Sequence, residues 1–249
     1  MIISASRRTD IPAFFSEWII NRLNEQYAYV RNPMNIHQVS SINLSPDVVD
    51  CIVFWSKNPK PMLNKLNSLQ DYMYYFQFTL NAYEKDLETN LPTLTARIDT
   101  FQALSNHLGK ERVLWRYDPI IVNEKYSVDW HIEQFEYLTE RLCLYTEKVT
   151  ISFVDLYTKI FHNIKGKNIY ELSYKQKNTL AKHLAEIAHS HNIEIAACAE
   201  DIDLSSYGIT HARCIDDRLI SKLLHCSIDA EKDKNQRSEC GCAASIDLG

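Results

Sequence analysis

The chain has 249 residues, 45% of them hydrophobic, so its length is that of one large domain or two small ones with a substantial buried core. This composition excludes a mainly disordered or fibrous protein. The 27 lysines and arginines against 32 aspartates and glutamates give a net charge of −5, and these charges are spread along the chain. Without a basic stripe, DNA is not expected as an electrostatic partner.

Signals for membranes, disulfides and nucleotides are also weak. No apolar run approaches the roughly 18 to 20 residues that a membrane span needs, and residues 1–4 read as a strand rather than a leader, so we expect a cytoplasmic protein. The seven cysteines are odd in number and scattered, which favours reduced thiols or metal ligands over disulfides. Only five glycines occur, and neither the G-x-G-x-x-G nor the G-x-x-x-x-G-K phosphate-binding pattern is present.

Short apolar runs rich in β-forming residues alternate with segments at helical spacing. Six strands are predicted at residues 2–6, 51–55, 74–80, 112–117, 149–154 and 193–198. Helices are predicted between them at residues 12–27, 92–108, 127–145 and 173–190. This alternation predicts an α/β fold with a parallel sheet, and six units favour a closed or partial (β/α) barrel, similar to a TIM barrel, over an open sheet.

No linker rich in glycine, proline or serine divides the chain, so the sequence predicts one barrel domain over residues 1–228. Residues 157–172 form a polar excursion within that domain. Residues 229–249 form a C-terminal tail, and residues 245–249 at its end have a strand-like beginning. A frayed terminus is the alternative reading of that end.

Every predicted strand ends in an ionisable or amide side chain. In parallel barrels the catalytic groups lie at the carboxyl ends of the strands, where the loops converge. A charge against an apolar strand also needs a buried partner or a ligand. Five of these side chains lie inside or directly against apolar strands, and we expect at least three of the five to line a ligand pocket; they are Arg7, Lys57, Gln77, Arg116 and Glu200. The other strand-end groups include Asp10, Thr79, Asp118 and Asp155. The alternatives are that Thr9 and Asp10 cap the first helix and that the charges pair with one another.

The cysteines fall into two groups. Cys51, Cys143 and Cys226 lie in or near apolar segments, so each is predicted to be a small buried hydrophobic residue. The other four follow the sixth strand or lie in the tail and would converge on one metal ion or cluster; they are Cys198, Cys214, Cys240 and Cys242. Their spacing lacks the paired Cys-x-x-Cys elements of a zinc site, so it is a weak metal signal.

Six motifs in order give the sequence a specific resemblance. They are S-A-S-R-R-T-D-I-P-A-F (4–14), V-R-N-P (30–33), F-W-S-K-N-P (54–59), F-Q-F-T-L (76–80), W-R-Y-D-P-I (115–120) and D-K-N-Q-R (233–237). Along its whole length the chain resembles the prokaryotic domain-of-unknown-function family 1848. Members of that uncharacterised family continue past the position of Gly249 into a Cys-x-x-x-Cys-x-x-Cys triplet, which is similar to that of radical S-adenosylmethionine enzymes. This sequence lacks the triplet.

The order of the strand-end motifs predicts a circular permutation. In radical enzymes resembling spore photoproduct lyase, the cysteine triplet follows the first strand. Later strands end in a Thr-Asp-x-x-x-Pro-like turn, then Thr-Lys, then a Ser or Thr pair, then a Pro-Ile-Ile-like turn. The order here is T-D-I-P (9–12), S-K (56–57), F-T (78–79) and P-I-I (119–121). The missing first strand would be residues 245–249, which must then lie beside residues 2–6.

The resemblance implies a radical S-adenosylmethionine enzyme that acts on an unknown small-molecule or modified macromolecular substrate and needs an electron donor. Its cofactors would be a [4Fe–4S] cluster and S-adenosylmethionine. The groups that would anchor S-adenosylmethionine are Arg7, Lys57, Gln77, Thr79 and Arg116. Those that would position the substrate or transfer protons are Asp10, Asp118 and Glu200. Without the triplet, we expect this chain to be a truncated or degenerate form.

Two other functions are consistent with the sequence. One is a barrel hydrolase or lyase in which strand-end carboxylates bind a divalent cation or act as an acid–base pair. The other is a non-enzymatic module that holds a structural zinc or cluster through the four cysteines and binds a protein or modified nucleic acid at the barrel mouth. Metal analysis separates the three functions. Iron with sulfide indicates the radical enzyme, a dependence on magnesium or manganese indicates the hydrolase or lyase, and one zinc indicates the non-enzymatic module.

Overall fold

The computed structural model of the chain describes residues 1–32, 35–156, 166–234, 236 and 240–249. Its main feature is an eight-stranded sheet in the order β10-β1-β4-β5-β6-β7-β8-β9, with every pairing parallel. The strands are β1 (Ile2–Ala5), β4 (Cys51–Ser56), β5 (Tyr74–Thr79), β6 (Val113–Ile120), β7 (Lys148–Phe153), β8 (Glu194–Ala197), β9 (Thr210–His211) and β10 (Ile246–Asp247). The predicted α/β class and parallel sheet are confirmed.

The helices that connect the strands also follow the sequence pattern. They are α1 (Ile11–Phe14), α2 (Ser16–Asn24), α3 (Leu94–Leu108), α4 (Val128–Leu142), α5 (Tyr174–Ser190) and α6 (Asp217–Leu224). The single helix predicted at residues 12–27 is two helices, because the backbone of Phe15 leaves the helical region between them. Asp10 is the N-cap of α1 and accepts a hydrogen bond from the Ala13 N–H, as the capping alternative predicted.

Several elements have no signal in the sequence pattern. An antiparallel hairpin of β2 (Tyr27–Asn32) and β3 (Asn35–Asn43) follows α2, and a 3₁₀ helix spans Lys60–Leu69. The edge strands β9 and β10 are two residues long, which is too short for a periodicity of four to eight residues to reveal. The polar excursion at residues 157–172 lies outside the described residues over 157–165.

The two faces of the sheet have different covers. In β5, Tyr74, Phe76 and Phe78 point to the large core under the helices, while Tyr75 points to the opposite, inner face. This is the two-residue alternation of a strand that is buried on both sides. No described helix is long and apolar enough to cross a membrane.

The inner face is covered by the described part of the chain between the two edge strands, which is residues 212–234, 236 and 240–245. Ile215 and Ile220 from this segment are buried against Val53 of β4 and Tyr75 of β5. The Tyr75 hydroxyl donates to the Cys214 carbonyl at 2.9 Å and accepts from the Asp216 N–H at 3.1 Å. We call these described residues the inner-face segment.

The last strand, β10, lies beside the first. Ile246 pairs with Ile3 and Asp247 with Ser4, both in parallel register, and the Leu248 N–H donates to the Ser4 carbonyl at 3.0 Å. Residues 245–249 therefore occupy the position next to β1 that the predicted permutation requires. Much of the predicted tail is packed, and Leu248 is buried.

The cysteines outside the cluster differ from one another. Cys51 is buried, as predicted, and Cys143 is half-buried. The prediction that Cys226 is buried is wrong, because it lies beyond the C-terminal end of α6, where the chain turns through the left-handed residue His225 and leaves the packed face.

Candidate functional site

The inner face becomes polar toward the carboxyl ends of the strands. Trp55, Gln77 and Arg116 come from the successive strands β4, β5 and β6, and the Arg116 guanidinium lies 5.2 Å from the centre of the Trp55 ring. Trp55 is held in place because its indole N–H donates to the Ser4 hydroxyl at 3.1 Å. Gln77 and Arg116, two of the predicted strand-end residues, therefore come together on this face.

Arg116 is the centre of the polar contacts. Its Nε donates to Asp118 at 2.9 Å, and its Nη2 donates to the same carboxylate oxygen. Its Nη1 lies 2.9 Å from Cys214 Sγ and 3.5 Å from Gln77 Oε1. Burial alone would lower the pKa of Arg116, but the charges of Asp118 and the nearby cysteines outweigh it and raise the pKa. Arg116 therefore keeps its charge although it is buried.

The four predicted cluster cysteines are in contact with one another, Cys240 through a hydrogen bond with Cys242. Cys198 Sγ lies 3.3 Å from Cys214 Sγ, and the Cys214 N–H lies 3.2 Å from Cys242 Sγ. Hydrogen bonds from the Cys198 and Cys242 thiols, aided by Arg116, lower the pKa of Cys214 well below its usual range. The same contacts with Cys214 raise the pKa of Cys198 and of Cys242, which remain protonated.

A cavity of about 330 Å³ opens above these thiols. Trp55, Arg116 and Arg7 line it together with all four predicted metal-site cysteines, which are Cys198, Cys214, Cys240 and Cys242. We call it the thiol cavity. Among the described residues, no group of three or more His, Cys, Asp or Glu side chains is arranged to hold a metal ion, so the four-cysteine metal site stays a prediction.

A second cavity of about 320 Å³ lies next to the first and shares Arg116 and Cys198 with it. Its acidic lining residues are Asp118, Asp155 and Glu200. Asp118 accepts a hydrogen bond from the Ser152 hydroxyl, and Glu200 accepts one from the Phe153 N–H at 2.7 Å. We call it the carboxylate cavity. Burial raises the pKa of Glu200.

The other predicted site residues are Arg7, which lines the thiol cavity, and Lys57, Asp10 and Thr79, which line neither cavity. Arg7 donates to Ser245 at 2.6 Å and pairs with Asp233. Lys57 pairs with Glu88 at 2.6 Å. Asp10 Oδ2 accepts from the Lys57 N–H at 2.8 Å. Burial raises the pKa of Asp10.

Sequence reasoning missed three residues that organise the site. Glu88 lies in a loop between β5 and α3, far from any strand end, and no pattern indicated it. Ser152 is one of three polar residues in β7, with Lys148 and Thr150, and no pattern singled it out. Trp55 ends the predicted strand at residues 51–55 but is not among the predicted site residues, although the F-W-S-K-N-P motif contains it.

Comparison with known proteins gives one whole-length match. A family model described as "Domain of unknown function (DUF1848)" matches residues 2–249. No curated protein matches the chain. A similar solved structure is a candidate alpha-L-fucosidase from Bacteroides thetaiotaomicron VPI-5482, with 11% sequence identity, a TM-score of 0.35, and coverage of 81% of this chain and 75% of that one. A likeness at that TM-score supports no functional argument.

Proposed function

Because the chain belongs to the domain-of-unknown-function family 1848, we propose that it forms the barrel of an S-adenosylmethionine-dependent iron–sulfur enzyme. Its substrate would bind at the carboxyl ends of the strands, over the thiol cavity and the carboxylate cavity. The cysteine triplet of the family follows the position of Gly249, so the position of that residue is central to the proposal.

The observation that carries the proposal is the pairing of β10 with β1. Parallel pairing directs the end of β10 toward the carboxyl edge of the sheet, the same edge to which β1 runs. Gly249 lies there so close to Ser6, the residue after β1, that a Cβ added at Gly249 would overlap the Ser6 side chain. Residues that follow Gly249 would enter the mouth beside Arg7, as a loop after the first strand of a radical barrel does.

The strand order also supports a partial barrel. The six central strands are adjacent in chain order, β1-β4-β5-β6-β7-β8, as successive right-handed β-α-β units would be. The helices' core lies on one face, and the inner-face segment lies on the other. We propose that the sheet curls around that segment, with β9 and β10 at its two edges.

The fit of the cofactors to this chain is incomplete. A [4Fe–4S] cluster needs three thiolates, and neither the sequence motif nor a suitable group among the described residues supplies them. We therefore assign no chemical step to a cluster held by residues 1–249. Arg116 is already hydrogen-bonded to Asp118, so it would have to exchange that partner to anchor a ligand carboxylate. Arg116 is better assigned as a positioning residue that supports Trp55 and Cys214.

The test uses the protein encoded by the natural reading frame, with whatever follows Gly249. It is purified anaerobically, supplied with iron, sulfide, S-adenosylmethionine and dithionite, and assayed for 5′-deoxyadenosine by mass spectrometry. We expect about four irons per chain and formation of 5′-deoxyadenosine. A reading frame without a cysteine triplet, or a chain that takes up iron but forms no 5′-deoxyadenosine, would contradict the proposal.

A matched pair of variants at β10 tests the geometric premise. Leu248→Pro removes the N–H that bonds to Ser4, whereas Leu248→Met keeps both that N–H and the buried bulk. We expect the proline variant to lose at least tenfold in 5′-deoxyadenosine formation and the methionine variant to retain it. Equal activity in both variants, with circular dichroism unchanged, would show that pairing of β10 is not needed.

The carboxylate-based hydrolase has less support. Asp118 and Glu200 share the carboxylate cavity, but Asp118 is neutralised by Arg116 and Glu200 lies near Lys177, at 3.7 Å. Asp155 also lines the carboxylate cavity, whereas Asp10, the fourth predicted acid, lines neither described cavity. A cytoplasmic location, an electron donor and a partner-binding role stay predictions from the sequence.

A further inference from the structure

Cys198 and Cys214 form a close pair of thiols that the proposed function does not use. Their sulfur atoms are 3.3 Å apart, and a disulfide bond needs about 2.05 Å, so one sulfur has to move by only about 1.2 Å. The backbone holds the two residues near each other. Ala197, the residue before Cys198, pairs with His211 in β9, and its carbonyl accepts from the Ala212 N–H at 2.8 Å.

The surroundings of the two sulfurs differ. Cys214 Sγ lies 2.9 Å from the buried Arg116 Nη1, and the charge of Arg116 is fixed by Asp118. A guanidinium at this distance stabilises a thiolate, which is the nucleophilic form of cysteine. Cys198 Sγ, at 3.3 Å from Cys214 Sγ, is placed to donate its S–H to that thiolate. One sulfur is therefore prepared as a nucleophile, and its neighbour as a thiol.

Access to the pair favours a small reagent. Both cysteines line the thiol cavity of about 330 Å³, and Cys198 also lines the carboxylate cavity. Cys214 is only 6% exposed, so its sulfur is reached from within the cavity and not from the outer surface. Hydrogen peroxide is small enough to reach the Cys214 sulfur through the cavity, whereas a disulfide on another protein is not.

We propose that Cys214 and Cys198 are a redox-active dithiol that reduces a small hydroperoxide, with Cys214 as the nucleophile and Cys198 as the resolving thiol. The Cys214 thiolate attacks one peroxide oxygen and the O–O bond breaks. The leaving hydroxide takes a proton from solvent and becomes water, and Cys214 becomes a sulfenic acid. The Cys198 sulfur then displaces the hydroxyl group, which leaves with the Cys198 proton as a second water.

In the overall reaction, two thiols and one hydrogen peroxide give one disulfide and two waters. Two electrons pass from the sulfurs to the peroxide oxygens. An external dithiol returns the pair to its reduced form by thiol–disulfide exchange. This proposal does not rest on the proposed function, since it needs neither S-adenosylmethionine nor a cluster, and its test uses neither.

The test follows the oxidation of the individual cysteines. The chain is reduced with dithiothreitol, desalted anaerobically, analysed for zinc and iron, and treated with one equivalent of hydrogen peroxide. Free thiols are blocked with N-ethylmaleimide and the peptides are mapped by mass spectrometry. We expect a Cys198–Cys214 disulfide as the main product, formed at least tenfold faster than the exposed Cys226 is oxidised in the same sample.

Serine variants separate the two roles. Cys198→Ser should stop at a Cys214 sulfenic acid that dimedone traps, and Cys214→Ser should leave Cys198 no more reactive than Cys226. Cys226→Ser is the matched control and should form the disulfide at the unchanged rate. Oxidation of Cys214 no faster than that of Cys226 would overturn the proposal. So would about one zinc or iron per purified chain that protects all four cavity cysteines, because the group would then be a metal site.

Discussion

Arg116 and His131 are both buried, yet burial changes their charge in opposite ways. Arg116 stays charged because Asp118 lies against it. His131, on α4, has only neutral partners, the Tyr117 hydroxyl at 2.8 Å and the Ile121 carbonyl at 2.9 Å. Burial lowers the pKa of His131 to about 4, which the hydrogen bond to Ile121 only partly offsets. The nearest partner therefore decides whether a buried base is charged.

The His131 environment predicts a pH dependence of stability. In the unfolded chain His131 binds a proton near pH 6.5, but in the folded chain it does so only near pH 4. Above pH 6.5 His131 is neutral in both states and does not lower the free energy of unfolding. As the pH falls from 6.5 toward 4, the unfolded chain takes up a proton that the folded chain does not, and the free energy of unfolding decreases. We expect a loss of about 2 kcal/mol between pH 7.5 and pH 5.0.

Urea denaturation at the two pH values measures this loss. His131→Gln should show a correspondingly smaller pH dependence, because glutamine does not titrate. The control is His107→Gln on the exposed face of α3, which should behave as the unmodified chain does. If His131→Gln and His107→Gln gave the same pH dependence, the assignment to His131 would be wrong.

At the level of the elements, ion pairs join the loops to the sheet. Glu88 lies in the loop before α3 and contacts two cations, Lys57 at the end of β4 and Arg97 in α3, at 2.6 Å and 3.0 Å. Arg97 is 2% exposed, so it depends on Glu88 for its charge partner. This contact fixes the position of α3 relative to the mouth of the sheet.

Removal of Glu88 is predicted to destabilise the fold strongly. Glu88→Ala leaves the buried Arg97 without its charge partner, for which we expect a loss of about 3 kcal/mol in the free energy of unfolding. Glu186→Ala removes the exposed pair with Lys182 in α5 and should cost less than about 0.5 kcal/mol. Urea denaturation at pH 7.5 measures both values. A similar small loss in the two variants would argue against a structural role for Glu88.

The whole molecule depends on the attachment of the inner-face segment to the sheet. This segment carries Cys214 from β9 across the inner face, and the chain then returns to the sheet as β10. Tyr75 and Gln77 both donate to the Cys214 carbonyl, so the position of its thiol is set by two strand residues. The thiol cavity exists only when this segment is docked.

Tyr75→Phe tests the docking. The substitution leaves the buried Asp216 N–H without its acceptor and removes one of two donors to the Cys214 carbonyl. We expect a loss of about 1 to 3 kcal/mol in the free energy of unfolding and faster hydrogen exchange over residues 212–224. Tyr174→Phe, at an exposed hydroxyl in α5, is the control. Unchanged exchange over residues 212–224 in Tyr75→Phe would mean that packing alone holds the segment.

Much of the sheet could be predicted from local pattern, and less of the site. The six central strands and four helical segments follow from hydrophobic periodicity, which each segment carries by itself. The hairpin of β2 and β3 could not be predicted in this way, because most of its side chains are exposed and no apolar alternation marks it. Of the predicted strand-end residues, Arg116 lines both described cavities, whereas Lys57, Gln77, Thr79 and Asp10 line neither.

The sequence by itself determined the α/β class, the parallel sheet and the edge at which polar groups gather, because these depend on local periodicity and on the direction of parallel strands. Only the tertiary structure decided the distant partners: Glu88 for Lys57, and Cys198 and Arg116 for Cys214. These contacts bridge 31, 16 and 98 residues. No pattern within a strand or helix encodes such separations; the loop that carries Glu88 and the inner-face segment that carries Cys214 create them.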